Sequence, residues 1–339
     1  MGQLPDWVLS DRLDATPDHK ARYLQQGDPD MQAFHHDLYR GVGQGRWWVM
    51  EQQPGPVNWA PYNPAALPGM VRLWTWEAFA HGAEVVSYFR WRQAPFGQEQ
   101  MHAGLLRSDD AAAQGLAEVA NVADELSQMP DVGTERAKVA QVFDYPSAWS
   151  WATLPQGADF DSFRLVFSAY RALRRSGLSI DIIAPDDADL GRYDVLVAPG
   201  IAHMSQELRD NIATCGATVL VGPRANAVTP ELTIPTPMGP ALKGLETTVV
   251  RCESLPPHTH RAVSGGGNVV HWIETLQSNA APAMHTDAGE PLLVHAEGLY
   301  YLAGWPDDGL WDRIVAMMTT QASVPIVALS DGLRLRDTQ

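Results

Sequence analysis

Arg46-Trp47-Trp48-Val49-Met50-Glu51-Gln52-Gln53, continuing as Pro54-Gly55-Pro56-Val57-Asn58-Trp59, decides how the first half of this 339-residue chain is read. The apolar run over 46–51, bounded by Gly45 on one side and Pro54-Gly55-Pro56 on the other, predicts a short strand that ends on a carboxylate and opens into a long loop. Residues 29–43 predict a helix ahead of it. Beyond the loop, Pro68-Gly69-Met70 opens a helix through about His81, with Pro68 suited to a first turn and Gly82 to the stop. A second strand from Glu84 to Trp91 follows, then another Pro/Gly loop and an Ala/Leu/Glu-rich helix over about 109–127. Strand, loop, helix, repeated with long loops after each strand, is the pattern of a β/α barrel whose chemistry sits at the C-terminal strand ends. Two such units are visible. A whole barrel needs eight and typically ~250 residues, so this region predicts a partial (β/α)8 barrel.

Composition changes at Ser127-Gln128-Met129-Pro130-Asp131-Val132-Gly133, which marks a boundary: seven of the 12 Trp precede position 100. The expected domains are 1–130, 136–322 and a further β segment over 323–339. The second half predicts a strand at Lys138–Phe143, a helix over about Asp159–Ser176, strands at Ile180–Ile183, Asp194–Ala198 and Ala217–Val221, and a helix over Ser205–Thr214. Later strands are expected at Val269–Ile273, Leu292–His295 and Leu299–Ala303, with a helix over Asp308–Gln321. Short continuous apolar strands alternating with helices predict a parallel sheet covered on both faces, a flavodoxin-like or amidotransferase-like α/β sandwich. Gly332–Asp337 reads as the first strand of a small C-terminal β domain.

Bulk properties exclude several classes. With 24 Lys+Arg against 40 Asp+Glu the net charge is −16, which repels nucleic acid and anionic membranes. Two cysteines, Cys215 and Cys252, are too few for a disulfide framework and lack metal spacing, so a cytoplasmic location and no metal or cofactor are expected. The N-terminus, Met1–Trp7, has neither a basic nor an apolar leader region. His35-His36 reads as a helix-surface pair, Cys215 falls late in a helix rather than at a strand-to-helix elbow, and Gly265-Gly266-Gly267 lacks the context of a phosphate loop.

The constellation at 51–59 suits glycoside cleavage. A nucleophile belongs at a rigid strand end below the sugar, amides such as Gln52, Gln53 and Asn58 can bind hydroxyls, and indoles offer flat platforms to the ring's C–H face. Taken alone, a Glu after a strand is more often a surface or structural carboxylate than a catalytic one.

The sequence resembles glycoside hydrolase family 42, the retaining bacterial β-galactosidases. Three stretches carry the resemblance: Trp47–Trp59, Gly69–Gly82, and Ser87–Arg92 with Gln98–Gly104. It is close over residues 8–126 and looser to the C-terminus, through Gly222-Pro223-Arg224, Val250–Leu255 and Gly332–Arg336. It implies that Glu51 is the nucleophile at the end of the barrel's seventh strand, that Trp59 is the sugar platform, and that Glu99 and His102 bind galactose hydroxyls after the eighth. It further implies a trimerisation domain with an amidotransferase-like sandwich, a galactoside substrate and a homotrimer. A retaining mechanism needs a second carboxyl about 5–5.5 Å from the first. The family's acid/base follows an Asn, and no Asn-Glu dipeptide occurs here. Two expectations follow: a truncated or split piece of a β-galactosidase, partnered by a separate N-terminal barrel half, or a non-catalytic oligomerisation module.

Overall fold

The computed structural model describes residues 17–59, 62–130, 133–154 and 156–338. Met1–Trp7 and residues 131 and 132 of the expected boundary lie outside them. The chain divides into two compact units, residues 1–135 with 336–339, and residues 136–335.

The first unit opens with α1 (Pro17–Tyr23) and α2 (Pro29–Val42). Asp28 starts α2, its carboxylate accepting from the N–H groups of Asp30 (2.9 Å) and Met31 (3.2 Å), while Pro29 occupies a first-turn position where no N–H is missed. Met31, Phe34 and Leu38 bury one helical stripe. His36 and Asp37 lie beside that stripe and are buried too, so His35-His36 is not a surface pair. The His36 ring packs 4.8 Å from Trp47 and 5.7 Å from His81, which replaces solvent with aromatic walls.

Strands β1 (Trp47–Gln52) and β2 (Ala83–Tyr88) pair in parallel, with α3 (Met70–Ala80) between them and α4 (Gln114–Gln128) after them. Trp47, Ala78 and Ala83 form the shared core. β2 stops three residues short of the expected Trp91, because the carbonyls of Arg90 and Trp91 accept from Leu105 (2.9 Å) and Leu106 (2.7 Å) in the following loop. α4 starts at Gln114 rather than 109, since Arg107 N–H closes a turn onto Ala111 O (2.8 Å). Gly69 has no side chain to cap α3. Glu118 of α4 does so instead, accepting from Gly69 N (2.9 Å) and Arg72 N (3.1 Å).

The second unit holds a seven-stranded sheet in the order β10-β11-β12-β6-β5-β3-β4. Its strands are β3 (Val139–Val142), β4 (Ile180–Ile183), β5 (Val195–Ala198), β6 (Thr218–Val221), β10 (Ala281–His285), β11 (Pro291–Ala296) and β12 (Leu299–Leu302). β4, β3, β5, β6 and β12 run parallel, as their continuous apolar character requires, but β10 and β11 are antiparallel additions at one edge. The fold is α/β. Its helices are α5 (Tyr145–Thr153), α6 (Ser162–Arg175), α7 (Gln206–Thr214) and α8 (Asp308–Gln321). α6 starts at Ser162 rather than 159 because Asp161 caps it through Arg164 N (2.9 Å). α5 was not expected from the sequence; Asp144 and Pro146 supply its cap and first turn. Trp311 of α8 is buried and donates to Ser168 Oγ of α6 (3.0 Å).

A second, antiparallel sheet, β13-β9-β7 with β8 on β9, comprises β7 (Thr247–Ser254), β8 (Arg261–Ala262), β9 (Asn268–Ser278) and β13 (Gly304–Pro306); β9 includes the strand expected at Val269–Ile273, while β7, β8, β13 and a separate sheet were not expected. The strand expected at 332–337 does not form; its backbone finds no ladder, and only Thr338 makes a bridge, to Thr134. Among the described residues no helix is long and apolar enough to cross a membrane.

Candidate active site

Glu51 stands near the end of β1, where the ladder is irregular. From Val49↔Val86 to Gln52↔Tyr88, β1 advances three residues and β2 two. The extra residue makes a bulge at Met50-Glu51 that breaks the alternation of side chains, and both of them face solvent while Gln52 and Gln53 turn inward. Gln53 donates to Gly55 O (3.1 Å), so this amide shapes its own loop rather than lying open to a ligand.

The loops after β1 and β2 are tied to each other. Ala103 N–H donates to Pro56 O (2.9 Å), and Asn58 Nδ2 donates to Gln98 O (2.9 Å). Tight backbone approaches explain the glycines here: a Cβ on Gly104 would lie 2.4 Å from Gln93 N, and one on Gly115 would lie 2.4 Å from Pro54 O. Asn58 thus fastens the loop that carries Trp59 to the residue preceding Glu99. Trp59 itself is exposed, as are Trp48 and Trp91.

Glu99 and His102 share a turn closed by His102 N–H to Glu99 O (3.1 Å), yet their environments differ. Glu99 is exposed and its carboxylate contacts the guanidinium of Arg90, which is mostly buried and lies over the Phe89 ring at 4.4 Å. His102 is buried against Phe89, with ring centres 5.0 Å apart, and neither ring nitrogen completes a hydrogen bond of ordinary geometry. Burial first, then the Arg90 charge, lower the His102 pKa below that of a free histidine, against the opposing pull of the Phe89 backbone and the Glu51 carboxylate. The imidazole is therefore neutral at pH 7 and can both donate and accept. Glu51 is close enough to act on His102 electrostatically, which places the strand-end carboxylate and the loop histidine in one neighbourhood. Arg90, whose charge acts on both Glu99 and His102, had no role in the sequence reading. Nothing in its linear spacing marks it; only the return of the loop past β2 does.

Glu84 is a different kind of carboxylate. Arg46 binds it at 2.7 and 3.2 Å and Trp48 Nε1 at 2.9 Å, and these hydrogen bonds pull its pKa down to about 2. It organises the start of β1, where Trp48 is held by its indole N–H.

In the second unit, the crevice at the C-terminal ends of β3 and β5 has room for about 10 Å³, enough for a single water. Ser147 lines it, its Oγ accepting from Ala202 N (2.8 Å), and Trp151 Nε1 donates to Gly200 O (2.8 Å) beside it. Cys215 lies at the end of α7 with its thiol on Ile212 O (3.4 Å).

Two family profiles match the chain: a β-galactosidase profile over residues 6–129 and a β-galactosidase trimerisation domain over residues 137–325. A β-galactosidase of Thermus thermophilus is 47% identical over 97% of this chain and 52% of its own length, and one of Haloferax lucentense is 36% identical over 98% and 52%. Among solved structures, the chain is similar to the β-galactosidase of the psychrophilic Marinomonas ef1 (TM-score 0.88, 43% identity, 95% of this chain and 51% of that one). It is equally similar to that of the Antarctic haloarchaeon Halorubrum lacusprofundi (TM-score 0.88, 35% identity, 98% and 52%). The chain spans about half the length of the curated relatives it matches.

Proposed function

Since the chain belongs to the glycoside hydrolase 42 family of β-galactosidases, we propose that it is the C-terminal part of a retaining β-galactosidase, with Glu51 as nucleophile. One observation carries the reading: an exposed carboxylate on a bulged strand end stands within electrostatic reach of a buried, neutral imidazole on the neighbouring loop. Glu51 attacks the anomeric carbon of a terminal β-galactoside and forms a glycosyl ester, while the leaving oxygen takes a proton from a second carboxylic acid. Water, deprotonated by that same group, then releases the sugar. Glu99 and His102 bind hydroxyls. A charged acceptor beside a neutral donor favours one hydroxyl configuration over another. Trp59 offers the platform under the ring.

Residues 1–130 are then the last two β/α units of a barrel, supported by the parallel β1–β2 pair with helices after each strand. The acid/base comes from an N-terminal part of the barrel that residues 1–130 do not include, whether truncated away or supplied as a separate half. Residues 136–322 form a trimerisation domain; the β4-β3-β5-β6-β12 order, second-first-third-fourth-fifth along the chain, supports a flavodoxin-like or amidotransferase-like sandwich. The narrow crevice at β3 and β5, with room for a single water, supports a structural role for that sandwich, and the trimerisation-domain profile over residues 137–325 supports a homotrimeric assembly. The free thiols of Cys215 and Cys252 fit a reducing cytoplasm.

Incubating the purified chain with o-nitrophenyl β-galactoside tests the reading. No turnover is expected from the chain alone, while galactose raises its melting temperature and Glu51→Gln or His102→Ala weakens that response. Robust turnover that disappears in Glu51→Gln would keep the nucleophile and remove the need for a second half. Neither turnover nor a galactose response would leave the oligomerisation module.

A further inference from the structure

The second unit carries a cleft of about 440 Å³ that shares no residue with the loops after β1 and β2. Two irregularities of the backbone converge on it, and each delivers an arginine. Arg224, just past the C-terminal end of β6, sits at φ +62°, a conformation that non-glycine residues rarely adopt and that persists only where the surroundings impose it. In the pairing of β7 with β9, β7 advances two residues from Val249↔Leu276 to Arg251↔Thr275 while β9 advances one. This bulge breaks the alternation of side chains, so that Val249, Val250, Arg251 and Cys252 all line the cleft. The Arg224 guanidinium lies 4.8 Å from the centre of Trp151 and 5.1 Å from that of Trp272, held against two indoles, with Nη1 donating to Cys252 Sγ (3.4 Å). Its Nε is buried without a partner, and Nη2 meets no acceptor among the described residues. Nε and Nη2 share one edge of the guanidinium, the edge that a planar carboxylate meets with both oxygens. The neighbouring Glu274 leaves that edge unused: it is buried and accepts instead from the Arg224 backbone N–H (3.2 Å), Tyr301 OH (2.6 Å) and Trp272 Nε1 (3.3 Å).

The other walls are largely apolar: buried Ala225 and Val228, and exposed Ile234 and Met238. A few placed polar groups in an apolar hollow of this size are the composition of a small-molecule site. A bare inorganic anion would satisfy the guanidinium edge and leave the apolar walls in water. A neutral apolar molecule would cover the walls and leave the buried N–H unmet, so only a ligand that joins the two features answers both. We propose that the cleft binds a small organic carboxylate with an apolar body, its oxygens on Nε and Nη2 of Arg224 and its body against Val250, Ile234 and Met238. Arg251, whose ion pair with Glu253 is long at 3.8 Å, adds a second positive charge. The site makes no use of the chemistry at Glu51 or of assembly, so it stands or falls apart from the reading above.

Calorimetric titration of the full chain with 3-phenylpropionate and octanoate, in whatever assembly it forms and without galactoside, tests it. Both are expected to bind. The alcohol 3-phenylpropanol, which keeps the body and lacks the charge, and acetate and inorganic phosphate, which keep the charge and lack the body, should each bind about tenfold more weakly or worse. Arg224→Gln should weaken 3-phenylpropionate by about tenfold or more, as loss of a charge-assisted bidentate pair does, and Arg251→Gln by a smaller factor. Val250→Trp fills the cleft from an exposed position and should abolish binding with unchanged circular dichroism. If Arg224→Gln misfolds because the guanidinium leaves its indoles, Val250→Trp and Arg251→Glu decide alone. Failure of both carboxylates to bind at millimolar concentration would overturn the proposal, whether the cleft is closed to them or covered by another copy. So would equal binding of the alcohol, which would make the cleft an apolar hollow, or of phosphate, which would make it a bare anion site. Binding that survives both Val250→Trp and Arg251→Glu would place the ligand elsewhere and overturn it as well.

Discussion

The strands of the two units treat their side chains differently. In the second unit β3, β5, β6 and β12 are buried at each position, covered by helices and neighbouring strands. In the first, β1 and β2 bury few positions and leave Trp48, Met50 and, past β2, Trp91 and Phe96 exposed. A pair of parallel strands cannot close over its own apolar residues, whereas a doubly covered sheet can. The second unit thus buries a core between its sheet and helices, while the first leaves more of its strand residues exposed.

The sharpest way to break that comparison is to remove one large aromatic from each unit. Trp311→Ala, at 1% exposure, is expected to destabilise the second unit by about 3–5 kcal/mol. Trp91→Ala, at 64% exposure, should stay within about 0.5 kcal/mol. Urea unfolding followed by fluorescence reads both, and a large loss for Trp91→Ala would show that the first unit has a core that its strands do not reveal. Next in size, Glu118→Ala leaves the first turn of α3 uncapped and should lower stability by about 1–2 kcal/mol; Glu118→Gln should recover part of it.

A pH series sharpens the comparison further. Burial, then the His81 charge, hold the His36 pKa well below 6.5, against the pull of Asp37. Folded His36 is neutral while the unfolded side chain titrates near 6.5. The unfolded chain therefore binds more protons below that pH, so His36 leaves stability intact above 6.5 and erodes it as pH falls. His36→Leu is expected to flatten that loss, measured as unfolding free energy against pH; an unaltered slope would mean that His36 does not titrate on unfolding. The smallest effect is local. Removing the Arg90 charge in Arg90→Gln should raise the His102 pKa, read from its imidazole resonances by NMR, while Arg90→Lys should leave it close to wild type.

Much of this architecture could be read from the sequence where a local signal and a tertiary need agree. Asp28-Pro29 opens α2 and Gly43 follows it, and the apolar runs at 180–183 and 195–198 become strands of the larger sheet. Legibility failed where one residue serves another far along the chain. α3 lacks a capping side chain of its own, and its cap is 49 residues away. α5 escaped notice because Trp149 faces solvent and Trp151 faces the interior on a nine-residue helix, too short for a periodic stripe. β7 carries Thr, Arg and Glu among its apolar residues, as an edge strand of an antiparallel sheet can. At the site, the positions of Glu51, Glu99 and His102 were nameable from the sequence, but the bulge, the burial of the imidazole and the arginine between them arise from loop closure.

The Glu118 cap has a further consequence. The amides of Gly69 and Arg72 are protected by a carboxylate on α4, so α3 cannot fray at its first turn independently of α4. Arg72 and Trp76 of α3 both bind Glu125 as well, at 2.7 and 2.6 Å, which repeats the coupling two turns along. The helix pair behaves as one cooperative opening unit. In hydrogen exchange, the Gly69 and Arg72 amides should share the opening rate of α4's detachment rather than that of a helix end.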